Sequence, residues 1–290
     1  MATVVLSEKY SDKIQQKWTA GSFVDGRLSN DLSFVGARTV QVYTIGTVAV
    51  GDYNRTLSAN RYGTPAEIGD TVQELYMSQD KAFTGIIDKG NSLDQSIKKA
   101  GKFLSVQSEE VIVPMMDKYK LQRLADFAGT RVASSTALSA SNIITRMAAA
   151  RAKFLDNRVP TTGRTWFVTT DVYNLLIQTD YFKNLAKLGE SGIIKGQVGE
   201  IFGAPVIECP ADIMPASCNF ILVHKDAACT PKKIAETKLH TDPVGVSGNL
   251  VEGRYYYDCF VFNAKKMGVY ADFTGSAAPT VTDKQEKPSA

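Results

Sequence analysis

The stretch TVQVYTI (residues 39–45), GTVAVGDYNRTLSANRYGTPAEIGD (46–70) and TVQELYM (71–77) decides how the rest of this chain is read. Its two ends alternate along their length, the period-two signature of strands with one face toward a core. TVAV (47–50) is a short run of the same type, and KAFTGIID (81–88) reads as a further strand. The segment between the ends is rich in Gly, Asn and Thr and poor in large aliphatics. A two-stranded excursion of this length buries too little to be stable alone, and long loops of this kind are functional or disordered. It must lie against another part of this chain or against another subunit.

On the N-terminal side, residues 1–36 carry single bulky anchors in a polar background. Tyr10, Ile14 and Trp18 form one helical stripe, and Gly21, Gly26 and Gly36 interrupt any long helix. This reads as an arm laid on something else, or as a helix packed on its own domain. On the C-terminal side, Ser92-Leu93-Asp94-Gln95 fits a capping box, with Leu93, Ile97, Ala100 and Leu104 on one stripe. Pro114 predicts a kink or break. Leu121, Leu124, Ala125 and Ala128 then repeat until Gly129. The whole is a long helical strut.

From about residue 130 the pattern becomes compact α/β alternation. A helix over 142–155 places Ile143, Met147, Ala150 and Phe154 on one face. Strand WFVTT, an Asp171-capped helix, and strands APVIE and NFILVH follow, then the alternating IAETKLH. YYYDCFVF is a β-rich run with Tyr255, Tyr257, Cys259 and Val261 on one face. The tail, GSAAPTVTDKQEKPSA, is small, polar and Pro-containing, and is expected to be disordered.

The totals narrow the function classes. At 290 residues with 44% hydrophobic content the chain can build a sizeable core. A net charge of +3, with basic residues interleaved with acids, gives no footprint for wrapping nucleic acid. No apolar run approaches the roughly 20 residues a bilayer needs, and the start lacks a signal-peptide core, so a protein that stays in the cytoplasm where it is made is expected. Cys209, Cys218, Cys229 and Cys259 lack CxxC spacing and read as reduced, partly buried thiols rather than disulfides or a zinc site.

A search for chemistry finds no catalytic constellation. Gly21–Gly26 and Gly85–Gly90 have P-loop glycine spacing without the following Lys-Ser/Thr. Gly189–Ile193 and Gly245–Asn249 each lack the final glycine of a nucleophile elbow. His224 with Cys229 could be imagined as a nucleophile pair or half a metal site, although a strand-end histidine is more often structural. Adjacent Glu109 and Glu110 do not face each other on a helix. Asn54-Arg55-Thr56 matches a glycosylation triplet but has no secretory signal behind it. Catalytic, cofactor and metal sites are therefore expected to be none. Tyr53, Arg55, Arg61 and Tyr62 on the loop could stack on single-stranded nucleic acid, but without a basic groove they fit a protein interface better.

The order of parts resembles the Hong Kong 97-type capsid fold of tailed-bacteriophage major capsid proteins. VIVPMMDKYKLQRLA (111–125) resembles the entry to its spine helix, GRTWFVTTDVYNLL (163–176) the opening of its axial-domain core, and GEIFGAPVIECP (199–210) its strand with a Gly-x-Pro-Val step. FILVHKDAA and KIAETKLHTDP resemble the segments that follow. The resemblance covers residues 1 to about 275 and implies an α+β fold. Its divisions would be an N-terminal arm (1–36), an extended loop (37–90), a peripheral domain with the spine helix (91–129 and 246–275), an axial domain (130–245) and a disordered tail (276–290).

It also implies a non-enzymatic shell subunit that assembles with itself into pentamers and hexamers. A separate scaffolding protein, a portal, and non-specific contact with packaged double-stranded DNA at the inner surface would be its partners, with no membrane and no cofactor. Its location would be the virion, and the host cytoplasm during assembly. Tyr10, Trp18, Phe23, Tyr53, Arg55, Arg61 and Tyr62 are the expected inter-subunit contacts. Some relatives link their shells through an isopeptide bond from a loop lysine, yet no lysine occurs between Trp18 and Asp80 here. The alternatives are an encapsulin-type compartment shell, and a cytosolic enzyme with a site built from scattered residues such as His224, Glu236 and Asp258.

Overall fold

Phe220-Ile221-Leu222-Val223 is the most apolar run in the chain, and all four side chains are buried in one strand, β8 (Cys218–His224). Alternation splits them: Phe220 and Leu222 enter one core cluster, Ile221 and Val223 another. A strand buried on both faces needs a layer on each side, and the sequence supplies both. The computed structural model describes residues 21–32, 38–89, 100–179, 199–245 and 247–281.

Around β8 runs a mixed six-stranded sheet in the order β4 (Thr130–Ser134), β13 (Val269–Thr274), β8, β5 (Arg164–Thr169), β7 (Ala204–Cys209), β6 (Glu200–Ile201). The pairs β4–β13 and β5–β7 are parallel and the others antiparallel. One face is covered by the helix Ile143–Asp156 through Ile143, Met147, Ala150 and Phe154, the stripe expected from sequence. The helix Thr170–Gln178 lies on the same face through Val172 and Leu176. Its cap is Thr169, whose hydroxyl accepts from the Val172 N–H, and not Asp171, which sits in the first turn. The cap falls two residues earlier because Thr169 is still extended (ψ 157°).

The opposite face is covered by Leu121, Leu124 and Ala125 of the strut and by Val24 and Leu28 of the N-terminal segment. In chain order the helices are α1 (Ala100–Gln107), α2 (Val113–Asp126), α3 (Ile143–Asp156) and α4 (Thr170–Gln178). The break expected at Pro114 does not occur. A π-helical turn, Ser108–Ile112, joins α1 to α2, and the Val113 N–H donates to Ser108 O five residues back. Pro114 would crowd the carbonyl four residues before it, and the widened turn at that place accommodates the ring. The strut ends at Asp126 rather than at Gly129. Gly129 serves a different need: its N–H bonds Lys266 O, and a Cβ there would collide with that carbonyl.

Three further sheets complete the fold. β1 (Thr39–Ile45) and β2 (Asp70–Tyr76) form an antiparallel hairpin. β10 (Lys232–Thr241), β11 (Gly248–Tyr257) and β3 (Gln79–Asp88) form a long three-stranded sheet in that order. β9 (Ala228–Cys229) pairs with β12 (Phe260–Val261). The run YYYDCFVF is not one half-buried strand. Tyr255 and Tyr257 pack on Ile112 and Met116 of the strut, Tyr256 and Phe260 pack on Leu75 and Met77 of the hairpin, and the chain turns at buried Asp258. Both faces are covered, so one-face alternation fails. In the tail, Ala278 rests on the core and Pro279 O accepts from Arg131; residues 282–290, like the Ser92 capping box and Gly189–Ile193, lie outside the described residues.

Candidate assembly surface

Among the described residues the hairpin holds to the body at its base alone. Val40 and Val42 of β1 point inward with Leu75 and Met77, and Gln73 bridges Val261 O and the Asn263 N–H. Beyond that base every residue from 45 to 72 is exposed. Nine of the eighteen exposed large hydrophobic side chains among the described residues fall between Tyr43 and Val72, including Val50 at 100% and Tyr62 at 91% exposure. Scattered exposed apolar residues are ordinary, but a concentration on one excursion marks an interaction surface. Full burial of each Val, Leu or Ile there would stabilise an assembly by about 1.5–3 kcal/mol before ordering costs.

The two limbs of the excursion keep register to their tip although the strands stop. β1 pairs Ile45 with Asp70, the Gly46 N–H donates to Gly69 O (2.8 Å), and the Asn54 N–H donates to Arg61 O (2.9 Å). Each pair sums to the same register. Tyr53 meets Tyr62 edge to face, with ring centroids 4.8 Å apart, and Arg61 Nε donates to Leu57 O. Asn54 Oδ1 accepts from the Thr56 N–H and hydroxyl, a turn contact. Between Gly46 and Asn54 no backbone bond joins the limbs, so TVAV is not a strand here. Pro65 stands opposite Val50 in that register and has no N–H to give.

The base is held by buried charge. Asp258, fully buried, accepts from the Ser78 N–H and hydroxyl, the Tyr119 hydroxyl (2.8 Å) and the Cys259 N–H. Arg123, also buried, lies 3.8 Å from it between the rings of Tyr119 and Phe127. Burial pushes the Asp258 carboxyl up, against the pull of these donors and of Arg123. Two turns along the same helix face, Asp117 accepts from Ser22 and from the Phe23 N–H, while Lys120 reaches Asp25 and Asp117. Asp25 also binds Lys232 of β10 (2.6 Å). Burial alone would raise Asp25, but hydrogen bonds from Lys120 and Lys232 more than offset it and hold it low. This chain of pairs staples the N-terminal segment, the strut and the long sheet together.

Of the residues singled out from sequence, Tyr53, Arg55, Arg61 and Tyr62 come together on the exposed tip. Phe23 is half-buried against its own core, and Tyr10 and Trp18 lie outside the described residues. Asp117, Lys120 and Arg123 were missed, because charges on a helix ordinarily face water and nothing in their i, i+3, i+6 spacing says otherwise. His224, Glu236 and Asp258 lie in three separate surroundings. His224 Nδ1 accepts from the Asp226 N–H and burial holds the ring low, Glu236 is exposed beside Lys238, and Asp258 is locked at the hairpin base. The four cysteines are free and buried, with burial pushing Cys209 and Cys259 to about 12. No group of three metal-ligating side chains forms, and no helix is long and apolar enough to cross a membrane, among the described residues.

No protein-family model matches the chain, and no curated protein sequence does. Solved structures do. A chain from Mycobacterium phage Che8 is 18% identical with a TM-score of 0.77, covering 92% of this chain and 96% of its own. The capsid structure of cyanophage P-SCSP1u gives 12% identity and a TM-score of 0.77, covering 94% of each. The mature capsid of bacteriophage PhiM1 gives 12% and 0.73, covering 94% of this chain and 93% of its own. The fold is thus the α+β capsid fold of these phage structures, of the Hong Kong 97 type, along nearly the whole chain.

Proposed function

We propose that this chain is the major capsid subunit of a tailed bacteriophage, self-assembling into the icosahedral shell that encloses its double-stranded DNA. The observation that carries the reading is the exposed excursion over residues 45–72 on a chain with a phage-capsid fold. A monomer gains nothing from eight exposed large apolar side chains there, whereas a neighbouring copy can cover them. The divisions follow: arm 1–36, extended loop 37–90, peripheral domain 91–129 with 246–275, axial domain 130–245 and tail 276–290. Tyr53, Arg55, Arg61 and Tyr62 are proposed to meet neighbouring subunits, with the arm's Tyr10, Trp18 and Phe23 as further contacts.

In this reading the subunit works by geometry and not by catalysis. Scaffold, portal and inner-surface DNA contacts are part of the proposal, as is residence in the virion after assembly in the host cytoplasm. No observation favours a cargo-enclosing compartment or an enzyme. Sedimentation velocity of the purified chain tests it: megadalton particles or discrete pentamers and hexamers support the reading, and a stable monomer or dimer across assembly conditions opposes it.

A further inference from the structure

The helix α3 ends on a residue that its backbone does not favour. Arg158 follows the helix in the left-handed region (φ 55°). Its N–H donates to Leu155 O, and the next N–H, of Val159, donates to Phe154 O. Glycine is the usual residue at that place, because a Cβ is crowded there. A cation suits the carbonyl end of a helix, but those carbonyls are already served. Asn157 gives its N–H and its side-chain amide to Lys153 O, and buried Arg164 donates to Val159 O and Pro160 O just beyond. The Arg158 side chain is exposed, and among the described residues no hydrogen bond or carboxylate holds it.

Arg158 instead lines a cavity of about 280 Å³, together with Lys265 and His224. Its walls are the end of α3, the end of β8 and the 3-10 turn Asn263–Gly268. They converge at Gly268, where a Cβ would meet Ala227 Cβ at 2.9 Å. The charge around the cavity is one-sided. Segments 153–164, 224–226 and 263–268 carry six cations against Asp156 and Asp226, a net of +4, while the whole chain has +3. Elsewhere on the body cations meet carboxylates: Arg146 binds Asp272, Lys232 binds Asp25 and Arg254 binds Asp80. Here, among the described residues, Arg158, Lys225, Lys265 and Lys266 have no carboxylate partner. Asp226 also lines the cavity, 4.0 Å from His224 Nδ1. Cations crowded around a concavity repel one another, and a bound anion relieves that repulsion. Three segments far apart in the chain supply them, so no basic cluster shows in the sequence.

We propose that this cavity binds an anion of the phosphate class, with Arg158 presenting its guanidinium fork and Lys265 a point charge to the phosphoryl oxygens. Such a group occurs in a nucleic-acid backbone and as free phosphate or pyrophosphate. The unfavoured backbone at Arg158 is then the cost of aiming a cation into the cavity from the end of a rigid helix. Bound anion ties the three walls together, so it stabilises the subunit. The site belongs to the single chain and stands whether or not the assembly reading does.

Calorimetric titration of the full chain with sodium pyrophosphate at low salt is the test, with melting curves beside it. Saturable binding is expected, and the saturated chain should melt about 2–4 °C higher. Arg158→Gly removes the charge and the backbone strain together. It should melt no lower than the parent yet bind about tenfold more weakly or worse. Lys265→Gln should weaken binding about fivefold, and Lys238→Gln, on the long sheet, should leave it unchanged. Absence of binding to the parent overturns the site. So does equal affinity in the parent and Arg158→Gly, or an equal loss in all three variants, which would mean diffuse attraction. If Arg158→Gly does not fold, Lys265→Gln against Lys238→Gln decides. A short DNA duplex added to the titration identifies the source. Competition with pyrophosphate assigns the site to nucleic-acid phosphate, and pyrophosphate binding untouched by the duplex assigns it to the free anion.

Discussion

The six-stranded body and the β1–β2 excursion both carry strand-forming apolar residues, yet they use them oppositely. In the body, Phe220 to Val223 alternate into two cores and every one is covered. In the excursion, Tyr43 and Ile45 alternate along β1, and with Val48 and Val50 they stand at least half exposed. Periodicity sets which side chains share a face, while burial depends on whether a second layer exists. The body has helices on both sides; the excursion has a layer only at its base, where Leu75 and Met77 are buried.

That contrast can be broken experimentally. Replacing 47–68 with a two-residue Asn-Gly turn between Gly46 and Gly69, which are already hydrogen-bonded, should abolish shells altogether. The subunit's unfolding free energy should shift by no more than about 1 kcal/mol, read by denaturant titration. A subunit that unfolds instead would place the loop in the core. Phe220→Ala should cost about 3–5 kcal/mol in the same titration, while Tyr62→Ala should stay within about 0.5 kcal/mol. Similar losses for both would erase the distinction between the two regions.

The joint between the regions should be nearly as sensitive as the core. Asp258→Ala leaves Arg123 buried without its carboxylate, and breaking such a pair costs about 3–5 kcal/mol; an unchanged denaturation midpoint would contradict the staple. Acid should act through Asp25, whose carboxyl is held below the usual range. A group lowered on folding contributes stability above its unfolded pKa of about 4 and loses it as pH falls. Asp25→Asn should therefore melt lower than the parent at pH 7 and show a shallower decline below pH 4. Asp258 and Asp272 are shifted up by burial and work in the opposite direction, so they do not account for that decline.

The smallest expected effect is none at all. With no lysine between Trp18 and Asp80, the exposed excursion over 45–72 offers no side-chain amine for an isopeptide bond, guanidinium does not substitute, and the nearest amines, Lys81 and Lys89, lie at the base of the loop. Particles boiled in detergent should run as one band near 31.6 kDa; a ladder of high-mass species would contradict this.

What could be read from the sequence was whatever depended on local pattern. The α3 stripe, the β8 run and the β1–β2 alternation each announced a face, and the glycine-rich interior of the excursion announced a segment without a core. What could not be read depended on tertiary neighbours. TVAV looks like a strand until Pro65 is found opposite it. Pro114 looks like a break until a π turn makes room. Asp117, Lys120 and Arg123 look like a solvated helix face until the N-terminal segment and Asp258 cover them. The excursion's tip was legible as a coreless loop carrying Tyr and Arg, but the buried charges at its base were not.

Electron microscopy of the purified full chain under assembly conditions tests the central claim most directly. The account predicts closed shells, or capsomers with five- and six-fold symmetry. A uniform field of monomers or dimers, with no particles under any assembly condition, would contradict it.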